Sequence, residues 1–324
     1  MFPCVVKPLA LSASRGVIRA DTPAGLLAAC ARVQAILAAE PAADARVNSC
    51  LLLESFVSGP EVAVEGLLQH GVLQVLAIFD KPDPLDGPYF EETYYTTPSR
   101  HARAVQQQIM ASVQAACDGL GLREGPVHAE LRIPPEGCVL LEVASRTIGG
   151  ECARLLGRGT GHSLEELVIA HATGQPLEIV PQAGGAGVLM IPIPRAGILR
   201  RIEGISAARA VPYIEDILIN IREGYELVPL PEGSSYLGFM FAAAPTPAQA
   251  EADTAAITAA YAQQGRINAT VTPRIIPQSD NRVDLVFEVV ESAVTEIERI
   301  TFIGNRTFSE GRLRMSNKRC MKGC

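Results

Sequence analysis

Short apolar runs that predict strands alternate along this chain with longer stretches of helical spacing. Residues 2–7 (FPCVVK), residues 50–68 (CLLLESFVSGPEVAVEGLL, broken at Ser58-Gly59-Pro60) and residues 72–79 predict strands. Residues 21–40 predict a helix. Asp21 or Thr22 caps it, Pro23 suits its first turn, and Leu26, Leu27, Ala31, Val33 and Leu37 recur along it. Residues 101–120 predict a second, with Val105, Ile109, Val113 and Cys117 on one side. A third runs from Ser163 to Ala172, where Glu166 completes a capping box and Gly174 and Pro176 stop the helix. Between these lies a long polar, proline-rich segment at residues 80–98, DKPDPLDGPYFEETYYTTP, read as a loop.

From residue 184 to residue 244 the pattern changes to short strands: VLMIPIP, GILRRIEG, IEDILINI and SSYLGFMFAAA. Pro192 and Pro194 predict that the first is an edge strand. PTPAQAEAD at residues 245–253 is a second break. Beyond it come a helix to Tyr261, the strands INATVTPRII, RVDLVFEVVE and TEIERITFIG, a turn plus helix at residues 304–314, and a basic frayed end, MSNKRCMKGC.

The stretch that departs most from simple patterning is residues 128–150, HAELRIPPEGCVLLEVASRTIGG. Two apolar arms flank the turn Pro134-Pro135-Glu136-Gly137, which predicts a β-hairpin. Each arm carries a carboxylate where an apolar residue is expected, Glu130 on one and Glu142 on the other. Brought together, they repel unless a cation sits between them. Arg146 is suited to gripping a phosphoryl group, and Gly149 and Gly150 let the backbone pass close to a ligand. A surface hairpin with ordinary exposed acids fits the same residues equally well.

Composition narrows the class. The 324 residues are 48% hydrophobic and 19% charged, enough for roughly two domains with a real core. A formal net charge of −7 argues against a nucleic-acid groove. There is no run long enough to span a bilayer. The opening MFPCVVKPLALSASRG is not expected to act as a signal peptide, because Lys7 and Pro8 interrupt its apolar run and no basic segment precedes that run. The eight cysteines show no paired CxxC spacing, so reduced thiols in a cytoplasmic protein are expected.

Two further places could handle a nucleotide. Lys7 at a strand end, followed by a loop of small residues including Ser12, Ser14 and Gly16, could neutralise and cover a polyphosphate. No GKS or GKT is present, and on spacing alone a solvated lysine at a surface turn is favoured. Glu54 and Glu61 sit seven apart across an apolar connector that could receive an adenine and a ribose, although Glu61 also reads as an acid at a strand start.

FPCVVKP with its small-residue loop, LLLESFVSGPEVAVEG, HAELRI and LLEVASRTIGG occur in the order of an ATP-grasp domain. Over about residues 3 to 247 the chain resembles the ATP-dependent carboxylate–amine ligases, which include amino-acid ligases. The resemblance implies an α+β ATP-grasp fold in two lobes, an antiparallel sheet with flanking helices. It implies ATP and Mg²⁺ as cofactors, with small carboxylate and amine substrates. Lys7 would contact the phosphates, with Ser12, Ser14, Arg15 and Gly16 in the loop that closes over them. Glu54 and the backbone near Phe56 and Val57 would hold adenine, and Glu61 the ribose. Glu130 and Glu142 would hold the metal, and Arg146 would stabilise the transferring phosphoryl group. Two departures stand out: Ala144 occupies a position where many members have a metal-binding Asn, and the chain opens directly at the lysine strand, so a truncated first lobe is expected.

The tail, GRINATVTPRIIPQSDNRVDLVFEVVE and ITFIGNRTFSEGRLR, is similar to POTRA repeats of the outer-membrane β-barrel assembly factor (the BamA family) over about residues 255 to 314. The expected division is residues 1–180 for the ATP-grasp domain, 181–247 for its β-rich C-terminal part, and 248–324 for incomplete POTRA-like repeats in little contact with the rest. A non-catalytic ATP-binding fragment and a periplasmic polypeptide-binding module are the alternatives to a ligase.

Overall fold

The computed structural model describes residues 2–40, 50–179, 184–210, 213–244, 270–277 and 282–290. The chain begins with a small antiparallel sheet in the order β2-β1-β3, formed by β1 (Cys4–Pro8), β2 (Ile18–Ala20) and β3 (Leu51–Ser55). Helix α1 (Pro23–Ala38) covers it through Ala29, Val33 and Leu37, packed on Val6 and Ile18. Thr22 is its cap: its hydroxyl accepts the Gly25 amide at 3.1 Å, with Pro23 in the first turn.

The body is an eight-stranded antiparallel sheet. Its strands are β4 (Glu61–Gln69), β5 (Val72–Lys81), β6 (Tyr94–Thr97), β7 (Gly125–Arg132), β8 (Val139–Ala144), β9 (Gly185–Ile191), β11 (Ile214–Ile219) and β13 (Gly238–Ala244). They lie in the order β11-β13-β9-β6-β5-β4-β7-β8. Helix α2 (Arg103–Leu120) buries Ile109, Val113 and Cys117 on one face, against Val62, Val64, Ile78 and Leu131. The other face packs Phe79, Val188, Phe239 and Phe241 under Cys152, Leu155 and Leu164, from α3 (Ala153–Thr160), α4 (Leu164–Thr173) and the residue preceding α3. Coverage on both faces explains why eight successive residues of β4, Glu61 to Leu68, are buried. The capping box of Ser163 and Glu166 is present, and Gly174 ends α4 in the left-handed conformation.

Three expectations need correction. The strand before Pro192 is no edge strand, because β9 lies between β13 and β6; it ends at Ile191, so neither proline has to join the ladder. The segment at residues 80–98 is not all loop: β5 extends to Lys81 and β6 emerges at Tyr94. The tail is not apart from the body. A four-stranded sheet in the order β12-β10-β15-β14 joins β10 (Gly197–Glu203) and β12 (Glu226–Leu227) to β14 (Thr270–Pro277) and β15 (Arg282–Val290). β15 runs parallel to β10. Leu285 is buried with Leu199 and Leu227, and Asp284 pairs with Arg200 at 2.7 Å and Arg201 at 2.9 Å. An apolar side chain and a doubly paired carboxylate make this a packed junction. Within the eight-stranded sheet, β9 bonds β6. The helix expected before Tyr261, TEIERITFIG and residues 304–314 lie outside the described residues.

Candidate active site

One face of the eight-stranded sheet carries a grid of charge. Side chains alternate between faces along a strand, and register places direct partners on the same face. Lys81, Glu61 and Arg132 form one row across β5, β4 and β7. Phe79, Ala63, Glu130 and Glu142 form the next, and Ala77, Glu65, His128 and Ala144 the third. The grid follows from EVAVEGLL, in which Val62 and Val64 go to the α2 side while Glu61, Ala63 and Glu65 go to the other.

A cavity of about 390 Å³ opens between this face and the small sheet. Lys7, Ser12, Ser14, Arg15, Glu54, Phe56, Val57, Glu61, Glu130, Glu142 and Arg146, all expected from the sequence, line it. Gly16 does not: its amide donates to Pro231 O at 2.9 Å, and at φ +73° it is a backbone pivot of the loop. Lys7 Nζ lies 2.6 Å from Glu54 Oε2 at the cavity wall. Arg15, on the cavity wall, donates from Nε to Glu232 O at 2.6 Å and pairs with Glu40 at 2.5 Å. Arg32 grips the Glu232 carboxylate with two bonds of 2.6 and 2.9 Å and also meets the Tyr89 hydroxyl. Together these contacts clasp the small lobe to residues 231–232.

The hinge after β3 is partly committed. The Phe56 amide donates to Pro3 O at 3.0 Å, and Val57 O accepts from Arg132 at 2.8 Å. The Phe56 ring is covered by the Arg19 guanidinium at 4.2 Å and that of Arg132 at 5.0 Å.

The residue that sequence reasoning missed is Lys81. Its ammonium is 2% exposed and lies 2.8 Å from Glu61, 2.7 Å from Glu92 and 2.7 Å from Glu130. These three carboxylates converge as metal ligands would, within 4.8 Å of one another, but the cation among them is the lysine. Burial alone would lower the Lys81 pKa; Glu130, Glu92 and Glu61 outweigh it and hold the ammonium well charged. Burial would likewise raise Glu130, yet Lys81 and His128 bring it down, so it is an anion. Glu92 is pushed up by burial, with Lys81 offsetting part. Glu61 also takes Arg132 Nε at 2.9 Å, so both its oxygens already meet buried cations.

His128 lies 3.6 Å from both Glu130 and Glu65. Burial would depress its pKa, but the two carboxylates raise it to about 9. Glu142 stands opposite Glu130 in register, and no ion pair forms at it among the described residues. Arg146 is exposed and, among the described residues, bonds only locally, donating to Thr147 O at 2.9 Å. A carboxylate pair with one member unpaired, beside an arginine and a cavity-lining lysine, fits a hard divalent cation with phosphate oxygens.

Comparisons agree with this geometry. Residues 1–154 match the ATP-grasp domain family, and residues 189–260 match the L-amino acid ligase C-terminal domain 2 family. The chain is similar to the crystal structure of an L-amino acid ligase from Bacillus licheniformis, with 28% identity and a TM-score of 0.65 over 76% of this chain and 60% of that one. It is 28% identical to dapdiamide A synthase of Enterobacter agglomerans over 163 residues, 50% of this chain and 37% of that protein. It is 30% identical to carnosine synthase 1 of Gallus gallus over 168 residues, 49% of this chain and 18% of that protein. The chain therefore spans well under half the length of these curated relatives. Among the described residues no helix is long and apolar enough to cross a membrane. An antiparallel sheet with flanking helices, a small lobe closing a cavity over its charged face, and the two family matches with the solved-structure likeness establish the fold of this chain as ATP-grasp.

Proposed function

We propose that this chain carries the nucleotide site of an ATP- and Mg²⁺-dependent carboxylate–amine ligase. The observation that carries the reading is the in-register pair Glu130 and Glu142 in one cavity with Lys7 and Arg146. Glu130 and Glu142 would hold the metal, which when bound neutralises the phosphates and aligns them for transfer. Lys7 would neutralise the same phosphates from the small lobe, and the backbone of Ser12 to Ser14 would cover them. Release of Lys7 from Glu54 is then part of nucleotide entry. With the Phe56 amide and Val57 carbonyl committed, the Phe56 carbonyl and Val57 amide are the hinge groups for adenine.

Arg146 would stabilise charge on the phosphoryl group as it passes to a small carboxylate, and on the resulting acyl phosphate. An amine then displaces phosphate. Lys81 stays with its three carboxylates as the electrostatic floor and keeps Glu130 ionised. The relatives named for dapdiamide, carnosine and L-amino acid ligation support small carboxylate and amine substrates. The test is single-turnover ADP and phosphate release from MgATP across a panel of amino acids. Carboxylate-dependent release supports the reading, whereas MgATP binding without release under any pair would reduce it to nucleotide binding.

A further inference from the structure

Glu65 is a fully buried acid at the back of the charged face, 0% exposed, with no part in the steps above. Burial pushes its pKa up, with His128 offsetting part of the cost. An apolar side chain would fill this place at less expense, so the carboxylate calls for an explanation. Its Oε2 accepts the Ile148 amide at 3.1 Å, across a sequence separation of 83 residues. The same oxygen lies 3.6 Å from His128 Nδ1, whose other nitrogen lies 3.6 Å from Glu130. Among the described residues, Glu65 Oε1 and His128 Nδ1 have no hydrogen-bond partner.

Ile148 sits in the middle of the loop that joins β8 to α3. Arg146 is two residues before it. After it come Gly149, Gly150 at φ +64° and Glu151 at φ +59°. A Cβ added to Gly150 would lie 2.4 Å from the Met190 Cε, so the loop passes against that β9 side chain. The buried Ile148 side chain and its amide are the fixed point, and Arg146 hangs from it.

We infer that Glu65 is a positioning residue. It holds the Ile148 amide, sets where Arg146 stands relative to Glu130 and Glu142, and is braced against Glu130 by His128. Its catalytic consequence rests on the ligase reading; the hold on the loop does not. Glu65→Gln keeps an acceptor for Ile148, while Glu65→Met keeps the bulk and removes the acceptor. Hydrogen exchange of the peptide spanning residues 144–152, read without ligand, should rise about tenfold in Glu65→Met and stay near wild type in Glu65→Gln. Exchange in α2 should move in neither. In turnover, Glu65→Met should lower kcat about tenfold or more with KM for ATP within about threefold, and Glu65→Gln should recover most of the loss. Unchanged loop exchange in Glu65→Met, or equal impairment by both variants, would overturn the inference. Should Glu65→Met not fold, raised loop exchange in a folded Glu65→Gln would overturn it and wild-type exchange there would support it. If the wild type turns over no carboxylate and amine, the ligase reading fails while the exchange result still decides the hold on the loop.

Discussion

Lys81 Nζ lies 2.7 Å from Glu130 Oε1, at the point where Glu61 and Glu92 also converge. The ammonium thus occupies the centre of the most metal-like trio of carboxylates among the described residues, and under the proposed reading the divalent cation would sit one step outward, between Glu130 and Glu142. One carboxylate, Glu130, would then serve a permanent internal cation and an exchangeable one.

Removing the ammonium should expose that division. Lys81→Met leaves three converging carboxylates without their shared cation, and losing one partner of a buried pair costs about 3–5 kcal/mol. Urea denaturation should show a loss of that order. Mg²⁺ or Ca²⁺ should then restore part of it, because the trio becomes a cation site. No cation dependence in the variant would mean the carboxylates simply take up protons.

The pH dependence of stability has a window set by His128. Its folded pKa of about 9 lies above its ordinary 6.5, so its contribution is full below pH 6.5 and is lost as pH rises through 9. In EDTA and without nucleotide, unfolding free energy should fall across that range. His128→Gln should be less stable at pH 6 and nearly flat between pH 6.5 and 9. A parallel fall in both proteins would remove His128 as the cause.

The tail junction should behave as core. Leu285 is fully buried between Leu199 and Leu227, and Leu→Ala at such a site costs about 2–5 kcal/mol. Leu285→Ala should lower the urea midpoint accordingly, with loss of the β10 region in the same transition. A change below about 0.5 kcal/mol, the scale of surface substitutions, would restore the view that the tail stands apart.

The sequence announced the strands β1 and β3, though not β2, with the three longest helices and the Glu130–Glu142 hairpin, because each is local: caps, periods and a Pro-Pro-Glu-Gly turn lie within a few residues. Lys81 was hidden because it closes β5 and opens DKPDPLDG, and a lysine beside prolines reads as solvated loop. Only the register of β5 on β4 turns it inward beside Glu61. Glu65 was hidden for a related reason: its partners come from β7 and from a loop 83 residues away. The alternation EVAVE, with both acids on one face, was the signal available. The join of β15 to β10 is parallel and long-range, a pairing that local pattern does not encode.

The clasp predicts a kinetic effect larger than its effect on stability. Arg32 and Glu232 are each more than 40% exposed, so their pairing adds at most about 1 kcal/mol. Glu232→Lys should leave the melting temperature nearly unchanged, yet speed nucleotide dissociation several-fold by loosening the lobe that bears Lys7 and Ser12. Unaltered dissociation in stopped flow would make the clasp a surface ornament.

The central claim is that Glu130 and Glu142 hold a divalent cation on ATP, and calorimetric titration of MgATP tests it most directly. Glu142→Gln keeps the shape and removes one anionic oxygen from a hard cation. Wild-type protein should bind ATP in a Mg²⁺-dependent way. Glu142→Gln should bind at least about tenfold more weakly, roughly 1.4 kcal/mol, while its stability without ligand holds or rises slightly. The turn variant Glu136→Gln should match wild type throughout. Wild-type affinity in Glu142→Gln, or ATP binding indifferent to Mg²⁺, would contradict the account.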